Sequence, residues 1–234
     1  MVLNIKGSVL DLSIPKIMGV LNVTPDSFYD GGIYSSEKKI LKQVEKMVLD
    51  GADIIDVGGY SSKPGATSIT IEEEEKRVIP IIKLIYKIAG KYKTPYIIMH
   101  MRGNPSNMQN NPVYKNINYE IIKDLSKKID LAQNNGVCDI IIDPGFGFGK
   151  TIEHNYQILN NLKLYKILDK PILVGISRKS MIYKLLKTEP SKALNGTTVL
   201  NTIALINGAN ILRVHDVKEA KEVIKLCSFL KENV

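Results

Sequence analysis

The chain has 234 residues, 44% of them hydrophobic and 24% charged, which suits one large α/β domain over residues 1–234 with a substantial core. No apolar run approaches the roughly 20 residues of a membrane span and the first residues lack a signal-peptide core, so we expect a cytoplasmic protein without a membrane partner. The formal net charge is +8, but the lysines lie beside glutamates along predicted helices, a pattern typical of solvated helix faces, so nucleic acid is not an expected partner.

Short apolar segments alternate with segments of helical periodicity along the chain. The apolar segments are predicted to form six buried strands, at residues 16–22, 52–59, 95–101, 138–145, 171–177 and 209–216. Apolar residues spaced three and four apart predict helices at residues 37–50, 72–87, 117–132 and 216–233. This repeated β-α pattern predicts a parallel sheet, either open and doubly wound or rolled into a (β/α) barrel.

Polar residues with unusual chemistry stand at the end of every predicted strand. They are Asn22, Asp56 with two glycines, His100 with Arg102, Asp143, Ser177 with Arg178 and Lys179, and Arg213 with His215. An open sheet gathers its ligand groups at one switch point, whereas a barrel collects them from every strand end onto a single rim. The even spread therefore predicts an α/β, TIM-like (β/α) barrel, incomplete because about six parallel strands are recognisable instead of eight.

The motif DPGFGFGK, residues 143–150, places a carboxylate at the end of an apolar strand and three glycines behind it. Glycine permits backbone dihedrals closed to other residues and lets the backbone approach a flat ligand, so we expect a ligand beside Asp143. Phe148 can cover an aromatic substrate or only pack the loop. His100 is interpreted as a core or rim residue, and His154 as a solvent-facing helix residue.

Six motifs resemble the dihydropteroate synthase family, in the family's order and at compatible spacings. They are MGVLNVTPDSFYDGG, GADIIDVGGYSSKPGA, MHMRGNP, DPGFGFGK, VGISRKS and RVHDV. Several are long and contain rare residue combinations, so their joint occurrence is specific. The resemblance implies a pterin-binding TIM-like barrel, a transferase of folate biosynthesis that joins 6-hydroxymethyl-7,8-dihydropterin diphosphate to 4-aminobenzoate and releases pyrophosphate.

The resemblance also implies a role for several residues at the strand ends. Asp143, Lys179 and Arg213 are expected to be catalytic, and Asn22 is expected to contact the Mg²⁺ that accompanies the diphosphate. The implied substrate-binding residues are Ser62, Lys63, Asp143, Phe148, Ser177, Lys179, Arg213, Val214 and His215. The substrates are therefore the expected small-molecule partners, and the family further implies a homodimer.

These residue types suit the expected ligands. A buried carboxylate only accepts hydrogen bonds and pairs with the adjacent donors of an amino-pyrimidine edge, which fits Asp143. Lys179 can reach ring acceptors while its charge balances the buried acid. The planar fork of Arg213 matches phosphate oxygens. Three alternatives remain open, namely Asn22 as a structural cap, His215 as a packing histidine and Lys179 as a surface lysine.

The chain departs from the family pattern between the motifs DVGG and MHM. The family has two further strands there, whose terminal aspartate and asparagine contact the pterin, whereas this sequence runs from a predicted helix into the strand at 95–101. At roughly thirty residues per unit of an eight-unit barrel, more than one βα unit is absent, which indicates an internal deletion between about residues 80 and 95. Lys63 also stands where the family's STRPG motif has arginine.

Three functions follow from these observations. The first is an active, shortened dihydropteroate synthase. Asp143 and Lys179 are present, and so are the residues expected to hold the diphosphate. The missing segment leaves a degenerate pterin-binding homologue without turnover as an alternative. A pterin-binding methyl-transfer module, which would use the same kind of barrel and ligand, is the third.

Overall fold

A computed structural model describes residues 1–5, 8–22, 33–58, 96–102, 112–134, 137 and 139–233. The strands within these ranges are β1 Val2–Ile5, β2 Ser8–Asp11, β3 Lys16–Asn22, β4 Ile54–Gly58, β5 Tyr96–Met99, β6 Ile140–Asp143, β7 Leu173–Val174 and β8 Ile211–Val214. The helices are α1 Ile33–Leu49, α2 Ile117–Asn134, α3 Ile152–Asn160, α4 Ser180–Tyr183, α5 Leu194–Ile206 and α6 Val217–Glu232. All six predicted strands are confirmed, as β3 to β8. The helix predicted at 72–87 lies outside the described residues.

The parallel strands form one arc. Strands β4, β3, β8 and β7 pair in that order, and β5 pairs with β6. The two groups are joined where the backbone N–H of Ile142 donates to the carbonyl of Pro171 at 2.9 Å, and Ile142 also bridges Ile172. Because β3 and β8, the first and last parallel strands in the chain, are neighbours, the order is that of a barrel and not of an open doubly wound sheet.

The two outer strands of this arc, β4 and β5, flank the stretch in which the deletion is predicted. β4 ends at Gly58 and β5 begins at Tyr96. Residues 59–95, which connect them, lie outside the described part of the chain. In an eight-strand barrel the third and fourth strands occupy this position.

A β-hairpin of β1 and β2 covers the amino-terminal end of the arc. The two strands pair antiparallel, and the sequence patterns above do not predict them. Buried apolar residues of the hairpin and of the strand beginnings form one cluster, consisting of Leu3, Leu12, Met18, Ile141, Leu173 and Ile211. The hairpin thereby covers one end of the arc, while the carboxyl ends of the strands lie at the other.

The helices bury one face each against the sheet and against each other. In α2 the buried residues Ile117, Ile121, Leu125 and Ile129 recur every four positions, as the helical periodicity predicts. They belong to the larger of the two core clusters, together with residues of β5, β6 and α6. No helix in the described ranges combines the length and apolar character needed to cross a membrane.

Candidate active site

Asp143 is the last residue of β6 and is 9% exposed. The backbone N–H of Gly145 donates to its Oδ1 at 2.7 Å, which uses only part of the acceptor capacity of a carboxylate. Burial raises the pKa of Asp143, and the charges of Lys179, Arg213 and Lys150 oppose that shift. A carboxylate that is partly satisfied and faces three cations is a strong acceptor for a ligand with paired N–H donors.

Lys179 is the N-cap residue of α4, so the prediction that it begins the helix after β7 is confirmed. Its Nζ donates to the carbonyl of Phe146 and lies 4.6 Å from the ring centroid of Phe148. Burial lowers the pKa of Lys179 to about 8, against the opposing charge of Asp143. The ammonium therefore lies over the glycine loop, residues 145–149, near the buried acid.

The loop after Asp143 has unusual backbone geometry at each of its glycines. Gly145, Gly147 and Gly149 have φ values of 74°, 82° and 61°, which confirms the prediction that they provide dihedrals closed to other residues. A Cβ on Gly145 would lie 1.9 Å from the carbonyl oxygen of His100, and one on Gly149 would lie 2.5 Å from that of Arg102. These two glycines therefore allow a close approach to the backbone after β5, whereas the motif alone predicts a close approach to a ligand.

Arg213 in β8 is held by a carboxylate from the other side of β3. Its Nε donates to Oδ2 of Asp56 at 2.8 Å, and its Nη2 donates to the same oxygen. Both side chains are 32% exposed, so the pair lies at the mouth of the arc and not inside its core. The carboxylate orients the guanidinium and leaves the rest of its donor fork for another acceptor.

Ser177 and His215 connect the ends of β7 and β8. The Oγ of Ser177 lies 3.0 Å from Nδ1 of His215 and accepts a hydrogen bond from the backbone N–H of His215 at 3.3 Å. Although part of the imidazole is exposed, its reduced hydration and the nearby Arg213 lower the pKa of His215. Val214, between Arg213 and His215, is buried.

Arg178 stands between the predicted ligand groups Ser177 and Lys179, but its side chain is used within the protein. Its Nε and Nη2 donate to the two oxygens of Asp216 at 2.8 Å, and its Nη1 donates to the carbonyls of Pro190 and Ser191. The φ of Arg178 is +53°. This bidentate pair and the carbonyl contacts hold the turn that presents Lys179.

The structure separates the roles of two histidines. His100 is buried, with its ring nitrogens 2.8 Å from Oδ2 of Asp124 and 3.2 Å from the hydroxyl of Tyr114, in agreement with its interpretation as a core residue. His154 lies in α3 and is half-buried, so it is a helix residue whose ring is partly open to solvent, as interpreted. Its side chain completes a capping box with Thr151 and packs edge-on against Tyr114, because the third helical position of α3 points back toward the N-cap.

Three predicted site residues have no described side chain. Ser62 and Lys63 lie outside the described residues, and Asn22 ends β3 opposite Gly58 without a described side chain. Phe148 is half-buried in the glycine loop. Within the ranges that the structure describes, no group of three or more His, Cys, Asp or Glu side chains could hold a metal ion.

Comparison with protein families matches the model of the pterin binding enzymes at residues 18–91 and, separately, at residues 83–215. Among curated relatives, the dihydropteroate synthase of Escherichia coli K12 is 38% identical over 94% of this chain and 93% of its own length. That of Clostridium beijerinckii is also 38% identical, over 92% and 93%.

Solved structures agree with the sequence relatives. Yersinia pestis dihydropteroate synthase in a sulfonamide drug complex superimposes with a TM-score of 0.88 at 34% identity, covering 99% of this chain and 100% of the other. The Thermus thermophilus enzyme in complex with 4-aminobenzoate gives a TM-score of 0.86 at 28% identity, covering 98% and 100%. The TIM-like barrel predicted from the strand ends is thereby confirmed.

The alignments also bear on the shortened middle of the chain. The Escherichia coli alignment spans 263 positions, whereas 94% of this chain is about 220 residues, so about 43 positions of the relative have no counterpart here. The two partial family matches overlap at residues 83–91, within the segment where the sequence predicts the deletion. The matches on either side cover the motifs of β3, β4, β6, β7 and β8. The chain therefore belongs to the pterin binding enzyme family and, within it, to the dihydropteroate synthases.

Proposed function

We propose that this chain condenses 6-hydroxymethyl-7,8-dihydropterin diphosphate with 4-aminobenzoate, giving 7,8-dihydropteroate and pyrophosphate. One observation carries the proposal. The buried Asp143, the ammonium of Lys179 and the guanidinium of Arg213 come from three different strand ends and interact electrostatically at one end of the arc. The acid and the lysine suit a pterin ring, and the arginine suits a diphosphate.

The pterin ring is proposed to bind at Asp143 and Lys179. The carboxylate would accept the adjacent N–H donors of the amino-pyrimidine edge, since it still has acceptor capacity beyond its bond from Gly145. Lys179 would donate to a ring acceptor while its charge keeps Asp143 ionised in a buried environment. The family's two additional pterin contacts belong to the segment that this chain lacks, so Asp143 has a larger share of ring recognition here.

The diphosphate is proposed to bind at Arg213, whose side chain is partly exposed. Asp56 holds one side of the guanidinium, so the side chain is oriented before the anion arrives. The magnesium ion would come with the diphosphate oxygens, with Asn22 at the end of β3 as its protein contact, and it would neutralise charge on the leaving group. Arg213 already donates to the carboxylate of Asp56. The described side chains include no other group of acidic residues that could hold the metal ion.

The aminobenzoate is proposed to lie beside Phe148 and Ser177, with Ser62 and Lys63, which follow β4 in the chain, while His215 faces the diphosphate together with Arg213. In the reaction the C–O bond at the pterin methylene breaks and its electron pair leaves with the diphosphate. The aromatic amine then forms the new C–N bond and loses a proton. Positive charge that develops at the methylene delocalises into the pterin ring, whose amino-pyrimidine edge faces the ionised Asp143, and Arg213 stabilises the negative charge on the departing diphosphate. The reaction needs no covalent intermediate on the protein.

The chain is further proposed to work as a cytoplasmic, single-domain homodimer. Two helices that pack on each other, α5 and α6, carry large exposed apolar side chains at helical spacing. They are Val199, Ile203 and Ile206 in α5 and Leu226, Phe229 and Leu230 in α6. A second copy of the chain would remove these stripes from water, and light scattering at micromolar protein concentration measures whether the dimer forms.

Steady-state turnover with both substrates and Mg²⁺ tests the proposed activity. We expect dihydropteroate and pyrophosphate in equal amounts, and loss of both products when either substrate is left out. Purified protein that binds pterin but forms no product at saturating substrates would exclude the synthase and support a degenerate pterin-binding homologue. Release of a methyl group from methyltetrahydrofolate to a corrinoid acceptor would instead support the methyl-transfer module.

A further inference from the structure

Lys150 directly follows the glycine loop in the chain and is 3% exposed. Burial of a lysine is unusual here because none of the described carboxylates contacts its ammonium group directly. Its Nζ lies 2.8 Å from the carbonyl oxygen of Gly145, 2.9 Å from that of Phe148 and 3.3 Å from that of His100. A protonated amine has three N–H donors, so these three acceptors use all of them.

The three acceptors belong to parts of the chain that the ligand site needs in a fixed arrangement. Gly145 also donates its backbone N–H to Asp143, and Phe148 lies under the ammonium of Lys179. His100 follows β5, where the loop comes closest to the neighbouring backbone. One buried ammonium therefore holds the loop to the end of β5 and fixes both the acid and the aromatic ring.

The charge of Lys150 acts on the same site. Burial lowers the pKa of Lys150 to about 7 and the charge of Asp143 opposes this shift, while Lys179 and Arg102 lower the pKa and Asp124 raises it. In return the Lys150 charge lowers the pKa of Asp143, alongside the charges of Lys179 and Arg213.

We propose that Lys150 is a positioning residue whose ammonium holds the Gly145–Gly149 loop against β5 and thereby keeps Asp143 ionised and Phe148 in place for the substrates. The proposal rests on the proposed function for its consequences in catalysis. It does not rest on that function for its consequences in the free protein. The two can therefore be tested separately.

The first test uses amide hydrogen exchange of the free protein with Lys150→Met, which keeps the aliphatic length and removes every N–H donor. We expect the amides of residues 145–149 to exchange at least about tenfold faster, and those of α6 to keep the wild-type rates. Lys163→Met, at an exposed lysine, is the matched control and should change neither set. Unchanged exchange in the loop, or equally faster exchange throughout the molecule, would overturn the proposal whether or not the protein turns over substrate.

The second test is the pH dependence of kcat/KM for the pterin diphosphate. Because one of the three cations that lower the pKa of Asp143 is lost in Lys150→Met, the acidic limb should move to higher pH by about 0.5 unit or more. Lys150→Gln, which has N–H donors but no charge, should restore slow loop exchange in part and show the same shifted limb. If Lys150→Met does not fold, Lys150→Gln provides both measurements. An acidic limb at the wild-type pH in either variant would refute the electrostatic part of the proposal.

Discussion

Asp143→Asn is the sharpest test of how the ring is recognised. The substitution keeps the size of the side chain and one carbonyl oxygen, which can still accept from the backbone N–H of Gly145. It replaces the second acceptor by an amide N–H₂ that would face an N–H donor of the ring. It also removes the negative charge that balances the positive charges of Lys179 and Arg213.

The size of the effect follows from the buried position. A hydrogen bond to a charged group contributes about 1.5–3 kcal/mol, and a buried donor left without an acceptor costs about 1–3 kcal/mol. Losing one ring bond and opposing its donor should therefore weaken pterin binding by about 3 kcal/mol, which is roughly 100-fold in the dissociation constant. The KM for 4-aminobenzoate should rise much less, because its proposed contacts do not include Asp143.

Isothermal titration with the pterin and steady-state kinetics with both substrates measure the two effects. Asp169→Asn is a matched control, since Asp169 is exposed and its left-handed φ of 48° suits asparagine. Equal losses for both substrates in Asp143→Asn would contradict the assignment of the acid to the pterin. A tenfold or larger loss of pterin affinity in the control would show that the effect is not specific to Asp143.

Three further perturbations follow from the site. Arg213→Lys should raise the KM for the pterin diphosphate about tenfold, because a single ammonium cannot bond Asp56 and also present a planar fork to phosphate. Gly145→Ala should lower the free energy of unfolding by more than about 2 kcal/mol in urea denaturation, because its Cβ would lie 1.9 Å from the carbonyl oxygen of His100. Burial lowers the pKa of His100 to about 4. As the pH falls below about 6.5, the imidazole therefore takes up a proton in the unfolded chain before it does so in the folded protein. The free energy of unfolding should consequently fall by about 3 kcal/mol between about pH 6.5 and pH 4.

Each of these has its own control. An unchanged KM for the diphosphate substrate in Arg213→Lys would remove Arg213 from that role. Gly147→Ala shares the positive φ but meets only the flexible side chain of Lys179 at 3.2 Å, so it should destabilise less, and equal losses would contradict the backbone clash. A His100→Gln variant should lose the acid dependence assigned to this ring, and an identical pH profile of the unfolding free energy would assign it elsewhere.

The strands and the acid at the end of β6 could be predicted from the sequence because their signals are local. The apolar residues Ile140–Ile142 end on Asp143, and helical periodicity in α2 marks the buried positions. The partners of the polar groups could not be predicted in the same way. Asp56 and Arg213 are 157 positions apart, and only the pairing of β4 and β8 with β3 brings them together.

Lys150 shows a second limit. A lysine after a glycine-rich loop is typical of the surface, and nothing in the DPGFGFGK motif indicates that its three acceptors are backbone carbonyls. The glycines were predicted to have special dihedrals, but the close neighbour of Gly145 and Gly149 is the backbone after β5, and this contact follows from strand order. The capping role of His154 had a local signal, since Thr151 stands three residues before it.

The pairing of β3 with β8 determines when the site can exist during synthesis of the protein. Lys16 aligns with Ile211, so the edge of an early strand waits for almost the whole chain before it finds its partner. A ribosome that has released only the first 200 residues carries Asp143 and Lys179 but neither Arg213 nor the seam that Arg213 lies on. Folding of the active site is therefore a late step, and a nascent chain that lacks β8 leaves this edge of β3 without its strand partner.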